Sequence, residues 1–325
     1  MKMNGSWQVL ICPPIVRFSV CIILVPITVV TVFGNLLVII TIIHFKQLHT
    51  PTNFLILSLA VADLTVGAML MPLSIKGILE KCMNTANTLQ KNFNVMMCNV
   101  SVLNLSFIAL DRYYAVSDPL RYKFKMTPPV TAVMITLTWS VPAVVGGVLV
   151  FTGPRSVQLN STFSGNVSGD GHCSLTINVL SQFLFSLVFF YTPCTIMICT
   201  YLKIYLIVRR QVQAIQDQAM KNMTSKTHML ISKMERKATK TLAVVFVVFC
   251  MCWAPVFICV MIQSFLILSK SIVFYHVIGW IAYSNSMFNP LVYSFFYSWF
   301  RKALSIIVSG KIFRQNSSRM NLFSE

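Results

Sequence analysis

The chain has 325 residues, 56% of them hydrophobic and only 10% charged, which excludes an ordinary soluble domain, where about 25% are charged. Its 26 Lys and Arg against 8 Asp and Glu give a net charge of +18. In a soluble chain that excess would suggest nucleic acid as a partner; in a membrane chain it suggests cytoplasmic loops and no nucleic acid.

Charge-free stretches lie at 18–45, 92–110, 126–154, 171–202, 241–269 and 271–300, and a seventh, 47–75, is broken only by Asp63. About 20 apolar residues cross a bilayer, so the pattern predicts seven crossings. All should be helical, because unpaired backbone is too costly in hydrocarbon and seven short segments cannot close a barrel. The first apolar run starts after Arg17 and exceeds the roughly 7 to 15 residues of a secretory h-region, so helix one is expected to act as its own insertion signal. The expected organisation is an extracellular segment over 1–17, a helix bundle over 18–300 and a cytoplasmic tail over 301–325.

Seven crossings put the two ends on opposite sides. With the N-terminus outside, Lys46, Arg112, Arg121, Lys123, Lys125, Lys203, Arg209, Arg210, Lys221, Lys226, Lys233, Arg236, Lys237, Lys240, Arg301, Lys302, Lys311, Arg314 and Arg319 fall inside. These are 19 of the 26 basic residues, and the positive-inside rule therefore places the N-terminus outside the cell. Glycosylation sequons at Asn4, Asn160 and Asn166 agree with this orientation, although the pattern also occurs on the inner side at Asn222 and Asn316.

Within the spans, Asp63 is the one mid-span acid, and a carboxylate there costs several kcal/mol unless it meets a partner or a polar cavity. Asn35 in helix one, Ser101 in helix three and Asn285, Ser286 and Asn289 in helix seven lie at matching depth. Such a cluster could hold a sodium ion at Asp63, Ser101, Asn285 and Asn289; the alternative is a hydrogen-bonded knot without an ion. No other cofactor is expected. Pro26, Pro72, Pro142, Pro193, Pro255 and Pro290 fall within apolar runs, where each removes a backbone hydrogen bond and permits a kink. At the inner ends, Asp111-Arg112-Tyr113 closes helix three and Glu235 precedes helix six. Arg112 could be latched by Asp111 and Glu235 together, or these charges could be solvated at the surface, where exposed pairs contribute about 0 to 1 kcal/mol.

Taken in order, Gly34-Asn35, Leu59-Ala60-Val61-Ala62-Asp63, Asp111-Arg112-Tyr113, Trp139, Pro193 with Tyr201, Cys252-Trp253-Ala254-Pro255 and Asn289-Pro290-Leu291-Val292-Tyr293 resemble the signatures of the rhodopsin-like (class A) G-protein-coupled receptors. The run from Asn285 to Phe300 resembles the helix-seven fingerprint of the trace amine-associated receptors. His44 to Asn53, Asp111 to Val116, Asp118 to Tyr122 and Gly310-Lys311-Ile312-Phe313 are similar to that subfamily too. The resemblance implies an all-α seven-transmembrane bundle with a short amphipathic helix after helix seven. It also implies a plasma-membrane location, a small-molecule ligand, and a heterotrimeric G protein of the class that stimulates cyclic AMP. Arrestin and a receptor kinase acting on Ser305, Ser309, Ser317, Ser318 or Ser324 would follow, with disorder the default state for tail serines; olfactory expression is a further implication.

By position in the family pattern, the ligand cavity is lined by Asn94, Val95, Cys98, Phe185, Ser186, Phe189, Trp253, Val256, Phe257, Val260, Trp280 and Tyr283, apolar and aromatic as small-molecule sites usually are. The helix-three aspartate that meets a ligand ammonium in the family is Asn94 here, and the helix-five position used by some relatives is Phe185. A buried charge left without its partner costs about 3 to 5 kcal/mol, so simple monoamines should bind poorly in the usual mode. Glu80 and Asp170 remain as carboxylates for an amine or polyamine at the cavity mouth, or as solvated surface charges. Lys76, Lys81 and Lys91 make that rim basic, which would suit an anionic group. The loop cysteine of the family's outer disulfide matches Cys173, but its helix-three partner position holds Asn87. Cys82 is the expected partner and Cys12 the competitor.

In the mechanism so implied, a ligand near Trp253 shifts a two-state equilibrium, helix six pivots at Pro255, Arg112 leaves Glu235, and Tyr201 and Tyr293 receive it. The basic stretch 209–240 suits a G protein and equally suits anionic membrane lipid. No internal repeat and a lone buried acid argue against a transporter. The absence of lysine from 271–300 argues against a retinal pigment, and the sequence contains no catalytic motif of an intramembrane enzyme.

Overall fold

A computed structural model describes residues 14–81, 88–162, 187–219, 244, 246–259, 262, 272–314 and 317–322. Helix one is α1 (Pro14–His44), and helix two is α2 (Pro51–Thr65) continuing through a π turn (Val66–Leu70) into α3 (Met71–Lys81). Helix three is α4 (Thr88–Ser117), followed by α5 (Pro119–Lys125) in the second inner loop; helix four is α6 (Pro128–Thr162). Helix five is α7 (Thr192–Ala219), entered through a second π turn (Leu187–Tyr191). Helix six is α8 (Phe246–Cys259), helix seven is α9 (Ile272–Phe296), and α10 (Ser298–Val308) follows it. All seven expected rods are present, and the described residues contain no strand.

Four of these helices are long and apolar enough to cross a membrane over Cys21–His44, Pro51–Leu79, Phe93–Ser117 and Pro128–Gly147, and Thr192–Ile207 and Phe246–Cys259 are shorter apolar helices. Burial separates central rods from peripheral ones. The α2–α3 span is 61% buried and α4 56%, against 17% for α1 and 22% for α6. α4 accordingly packs on α2, α6 and α7, while α1 packs on α2, α3, α9 and α10. The outward faces carry Phe18, Ile22, Phe33, Val133, Val144, Met251 and Ile258, an apolar surface that water would not tolerate over such a length and hydrocarbon does.

Local chemistry sets the ends. Thr50 Oγ1 accepts from the Asn53 amide with Pro51 in the first turn, and Asp118 caps α5 through the Arg121 amide with Pro119 behind it. These are the side-chain acceptor and pre-set φ that a helix start favours. α10 stops at Gly310, whose φ of 68° is the left-handed turn that glycine adopts without strain. α4 runs to Ser117, so the Asp-Arg-Tyr triplet lies inside the helix and does not close it.

Two of the in-span prolines shape their helices in the same way. Pro72 and Pro193 each stand two residues beyond a π turn. A proline cannot donate to the carbonyl one turn earlier and its ring crowds that carbonyl, and widening the turn relieves both. In the first case the Met71 amide reaches back five residues to Val66 O; in the second, Thr192 Oγ1 donates to Leu187 O at 2.8 Å.

After α10 the tail turns back along the first inner loop. His44 Nε2 lies 2.9 Å from Ser317 Oγ, Ser317 Oγ donates to Ile312 O at 2.6 Å, and the Leu322 amide donates to Gln47 Oε1 at 3.1 Å. Ser317 and Leu322 are buried.

Candidate functional site

Three layers of side chains follow one another along the bundle, the lowest at its inner face. In the middle layer Asp63 is fully buried, accepting from Ser286 Oγ at 2.7 Å and Asn289 Nδ2 at 2.6 Å. Asn35 Nδ2 donates to Ser286 O at 3.0 Å and to Thr31 O at 2.9 Å, tying helix one to the same turn of α9. A carboxylate can accept about four hydrogen bonds, so two donors leave it under-satisfied. Asn285 Oδ1, Asn35 Oδ1 and the Tyr293 hydroxyl are also buried without a partner. Ser101 is buried. Oxygen acceptors of this kind are what hard cations take as ligands.

At the inner face Asp111 is fully buried in α4. It accepts from Arg112 Nε at 2.9 Å, from Thr52 Oγ1 at 2.6 Å and from Tyr122 OH at 2.7 Å, while Arg112 also donates to Thr52 Oγ1. The first turn of α2, the inner end of α4 and α5 are thus pinned at one carboxylate. Burial, with the Asp111 charge second, pushes the Tyr122 phenol up to about 12, so it remains a donor throughout physiological pH. The Asp111 half of the expected latch is in place; Glu235 lies outside the described residues. Tyr293 is buried 5.8 Å from Tyr297, ring to ring, and Tyr201 stacks on Phe246 at 5.6 Å.

The upper layer is aromatic. Phe249, Trp253 and Phe257 follow one face of α8 at intervals of four, with 6.4 Å between successive ring centres. Phe257 stacks on Phe190 at 3.8 Å and an 11° interplanar angle. Cys98 is buried in the same cluster. Trp280 and Tyr283 meet edge to face at 5.6 Å within a second cluster containing Val66, Leu70, Met71 and Met97. The Asn94 side chain reaches the Tyr283 hydroxyl. Asn94 Oδ1, Trp253 Nε1 and Trp280 Nε1 are buried without partners. Val95 and Val256 are half-buried.

Of the expected cavity residues, Cys98, Trp253 and Phe257 belong to one cluster and Trp280 and Tyr283 to the other. Phe185, Ser186, Val260, Asp170, Cys82, Cys173, Asn4 and Asn166 lie outside the described residues, and for Glu80, Phe189 and Asn160 only the helical backbone is described. Asn160 falls in the last turn of α6. Phe190, Thr52 and Tyr122 were missed. The family pattern assigned the helix-five positions to 185, 186 and 189, whereas the structure buries Phe190, which lies within the π turn. Thr52 and Tyr122 belong to loop-proximal turns whose placement no periodicity encodes, though a threonine beside Pro51 and a tyrosine one helix turn past Asp118 are the available signals.

The model of the 7 transmembrane receptor (rhodopsin family) matches residues 34–293. Trace amine-associated receptor 1 of Macaca mulatta and that of Homo sapiens are each 43% identical over 316 residues, covering 95% of this chain and 93% of theirs. Trace amine-associated receptor 7b of Mus musculus is 41% identical over 299 residues, covering 90% of this chain and 83% of its own. These are multi-pass membrane receptors rather than enzymes, and the rhodopsin family works with a small-molecule ligand and a G protein. The match from Gly34 to Tyr293 encloses the Asp63 cluster, the Arg112 knot and the aromatic layer, and the chain belongs to the rhodopsin family of seven-transmembrane receptors, among the trace amine-associated receptors.

Proposed function

We propose that this receptor, with its N-terminus outside the plasma membrane, binds a small amine or polyamine between α4, α7, α8 and α9 and activates a G protein that stimulates cyclic AMP. The observation that carries the reading is the stacking of the aromatic layer above two buried polar centres that join different helices. Ligand contact at Trp253 moves α8 about Pro255, and the movement reaches Arg112 through a core with two packings rather than through a compressible medium. Glu235 completes the Arg112 latch in the resting state, and Tyr201, Tyr293 and Tyr297 receive the guanidinium afterwards.

The anchor for a cationic ligand lies at the cavity mouth, in Glu80 or Asp170, because Asn94 supplies no counter-charge. A second reading, a non-amine odorant, is favoured by the orphaned Asn94 Oδ1 and Trp280 Nε1, which match an uncharged ligand carrying one donor and one acceptor. Sodium at Asp63, Ser101, Asn285 and Asn289 stabilises the resting state in this scheme. A Cys82–Cys173 disulfide, with Cys12 as competitor, and glycans at Asn4, Asn160 and Asn166 belong to the outer side. Arrestin, a receptor kinase and anionic lipid meet the inner side, and olfactory neurons are the expected setting.

Cyclic AMP in cells expressing the chain, screened against monoamines, polyamines and neutral and anionic odorants, tests this. A polyamine response lost in Glu80→Gln or Asp170→Asn supports the mouth anchor. Responses to neutral compounds alone, unchanged in both variants, establish the second reading. Asp63→Asn should abolish the sodium sensitivity of agonist affinity, and unchanged sensitivity removes the ion from the mechanism.

A further inference from the structure

The contacts between the tail and the first inner loop have no part in the ligand cavity or the Arg112 knot, and they meet at one hydroxyl. A serine hydroxyl carries a single proton, and that of Ser317 is spent on Ile312 O at 2.6 Å, so the oxygen can only accept from His44 at 2.9 Å. The hydrogen bond thereby assigns the proton of His44 to Nε2. The turn Ser317–Arg319 packs on the turn Lys46–Leu48, and further along the tail the Leu322 amide donates to Gln47 Oε1 at 3.1 Å. Ser317 is 4% exposed and Leu322 2%, while Phe45 and Leu48 of the loop are fully buried.

Two features single out Ser317. Its hydroxyl joins the tail to the last residue of α1. In the sequence Arg314-Gln315-Asn316-Ser317 an arginine also stands three residues before it, whereas Ser318 has Gln315 at that place. A planar guanidinium at a fixed distance from a hydroxyl suits a protein kinase whose substrate cleft is acidic. A phosphate on this oxygen cannot keep the closed arrangement. It brings a charge of about −1.5 to −2 at pH 7, it has no proton for Ile312 O, and enclosure strips its hydration. In the open tail, water and the exposed Lys311, Arg314 and Arg319 receive it.

We propose that residues 317–322 are a strap closed over the first inner loop, and that an arginine-directed protein kinase phosphorylates Ser317 when the strap opens and so holds it open. Ser317 Oγ attacks the γ-phosphorus of ATP, the bond from that phosphorus to the β,γ-bridging oxygen breaks, ADP leaves, and the hydroxyl proton passes to the base of the kinase. The closed form buries the attacking oxygen, so transfer draws on the open population alone and removes it from the equilibrium. From the proposed orientation this takes only the cytoplasmic location of the tail.

The test uses the purified full-length receptor in detergent with the catalytic subunit of cyclic-AMP-dependent protein kinase and magnesium ATP. Mass spectrometry should place a phosphate on Ser317 that Ser317→Ala lacks. Gln47→Ala, at an exposed position of the loop, removes the acceptor of the Leu322 amide and should raise the initial rate about fivefold, the effect of one net hydrogen bond. Leu322→Ala should raise it as well. Phosphate on Ser318 instead, or on neither serine in any form, overturns the site. A rate unchanged in both variants overturns the strap as its gate. Hydrogen exchange gives the second readout: amides over 44–50 should exchange about tenfold faster once Ser317 is phosphorylated, while those over 285–293 keep their rate. Unchanged exchange over 44–50, or slower exchange from a phosphate clamped on His44, overturns the release. A C-terminal epitope stained in unpermeabilised cells refutes the orientation, and with it a cytoplasmic kinase, but leaves the opening measured on the purified receptor standing.

Discussion

At position 94 an amide stands where a carboxylate would hold an ammonium, and its carbonyl oxygen is buried without a partner beside Tyr283. Asn94→Asp restores the counter-charge, whose absence costs about 3 kcal/mol at a buried site. The variant should therefore respond to 2-phenylethylamine with a potency gain of about two decades over the parent, read as a cyclic AMP dose response. Tyr122 offers the reverse experiment at the inner face. Tyr122→Phe removes one of three donors to a buried carboxylate, a loss of about 1.5 to 3 kcal/mol, and should lower the thermal midpoint while raising ligand-independent signalling. Because the phenol sits above its ordinary value of 10, at about 12, its contribution is full below pH 10 and fades only as pH rises through 12. The difference between Tyr122→Phe and the parent should therefore be the same at pH 6 and pH 8. Both residues are single side chains, but only Asn94 was legible in the sequence, because a helix position can be counted from Arg112 and a loop contact cannot.

Helices were legible wherever apolar runs were long, and their limits were not. Asp111 and Arg112 neutralise one another inside α4, so the charge-free run ends before the helix does. The π turns were invisible for a different reason: each adds one residue to a turn, and hydropathy is indifferent to a rotation of about 100°. Side-chain direction is not indifferent. Pro193→Ala should let helix five close to a regular turn, rotate Phe190 off Phe257 and lose their stack, which contributes about 0.5 to 1.5 kcal/mol beyond area burial. A lower thermal midpoint together with a weakened ligand response would show this. Thr192→Val, which removes only the hydroxyl on Leu187 O, should produce a smaller change in the same direction.

At the scale of the whole molecule, two glycines mark tight contacts between rods. A Cβ at Gly34 would lie 2.8 Å from Pro290 Cγ, and one at Gly67 would lie 2.8 Å from Thr31 Cγ2, whereas one at Gly77 would meet nothing within 4 Å. Gly34→Ala should therefore destabilise the receptor by about 1 to 3 kcal/mol through overpacking. Gly77→Ala should be neutral or stabilising by up to about 1 kcal/mol from helix propensity; midpoints of the two purified variants decide it. The Gly34 contact has another effect. The Pro290 ring of α9 sits directly against the Gly34 backbone of α1, and at the inner end His44 with Ser317 and Gln47 with Leu322 fasten the tail of α10 to the loop leaving α1. Chain and contacts close into a ring, and a fluorescent label on the lipid face of α1 should therefore register displacement of α9.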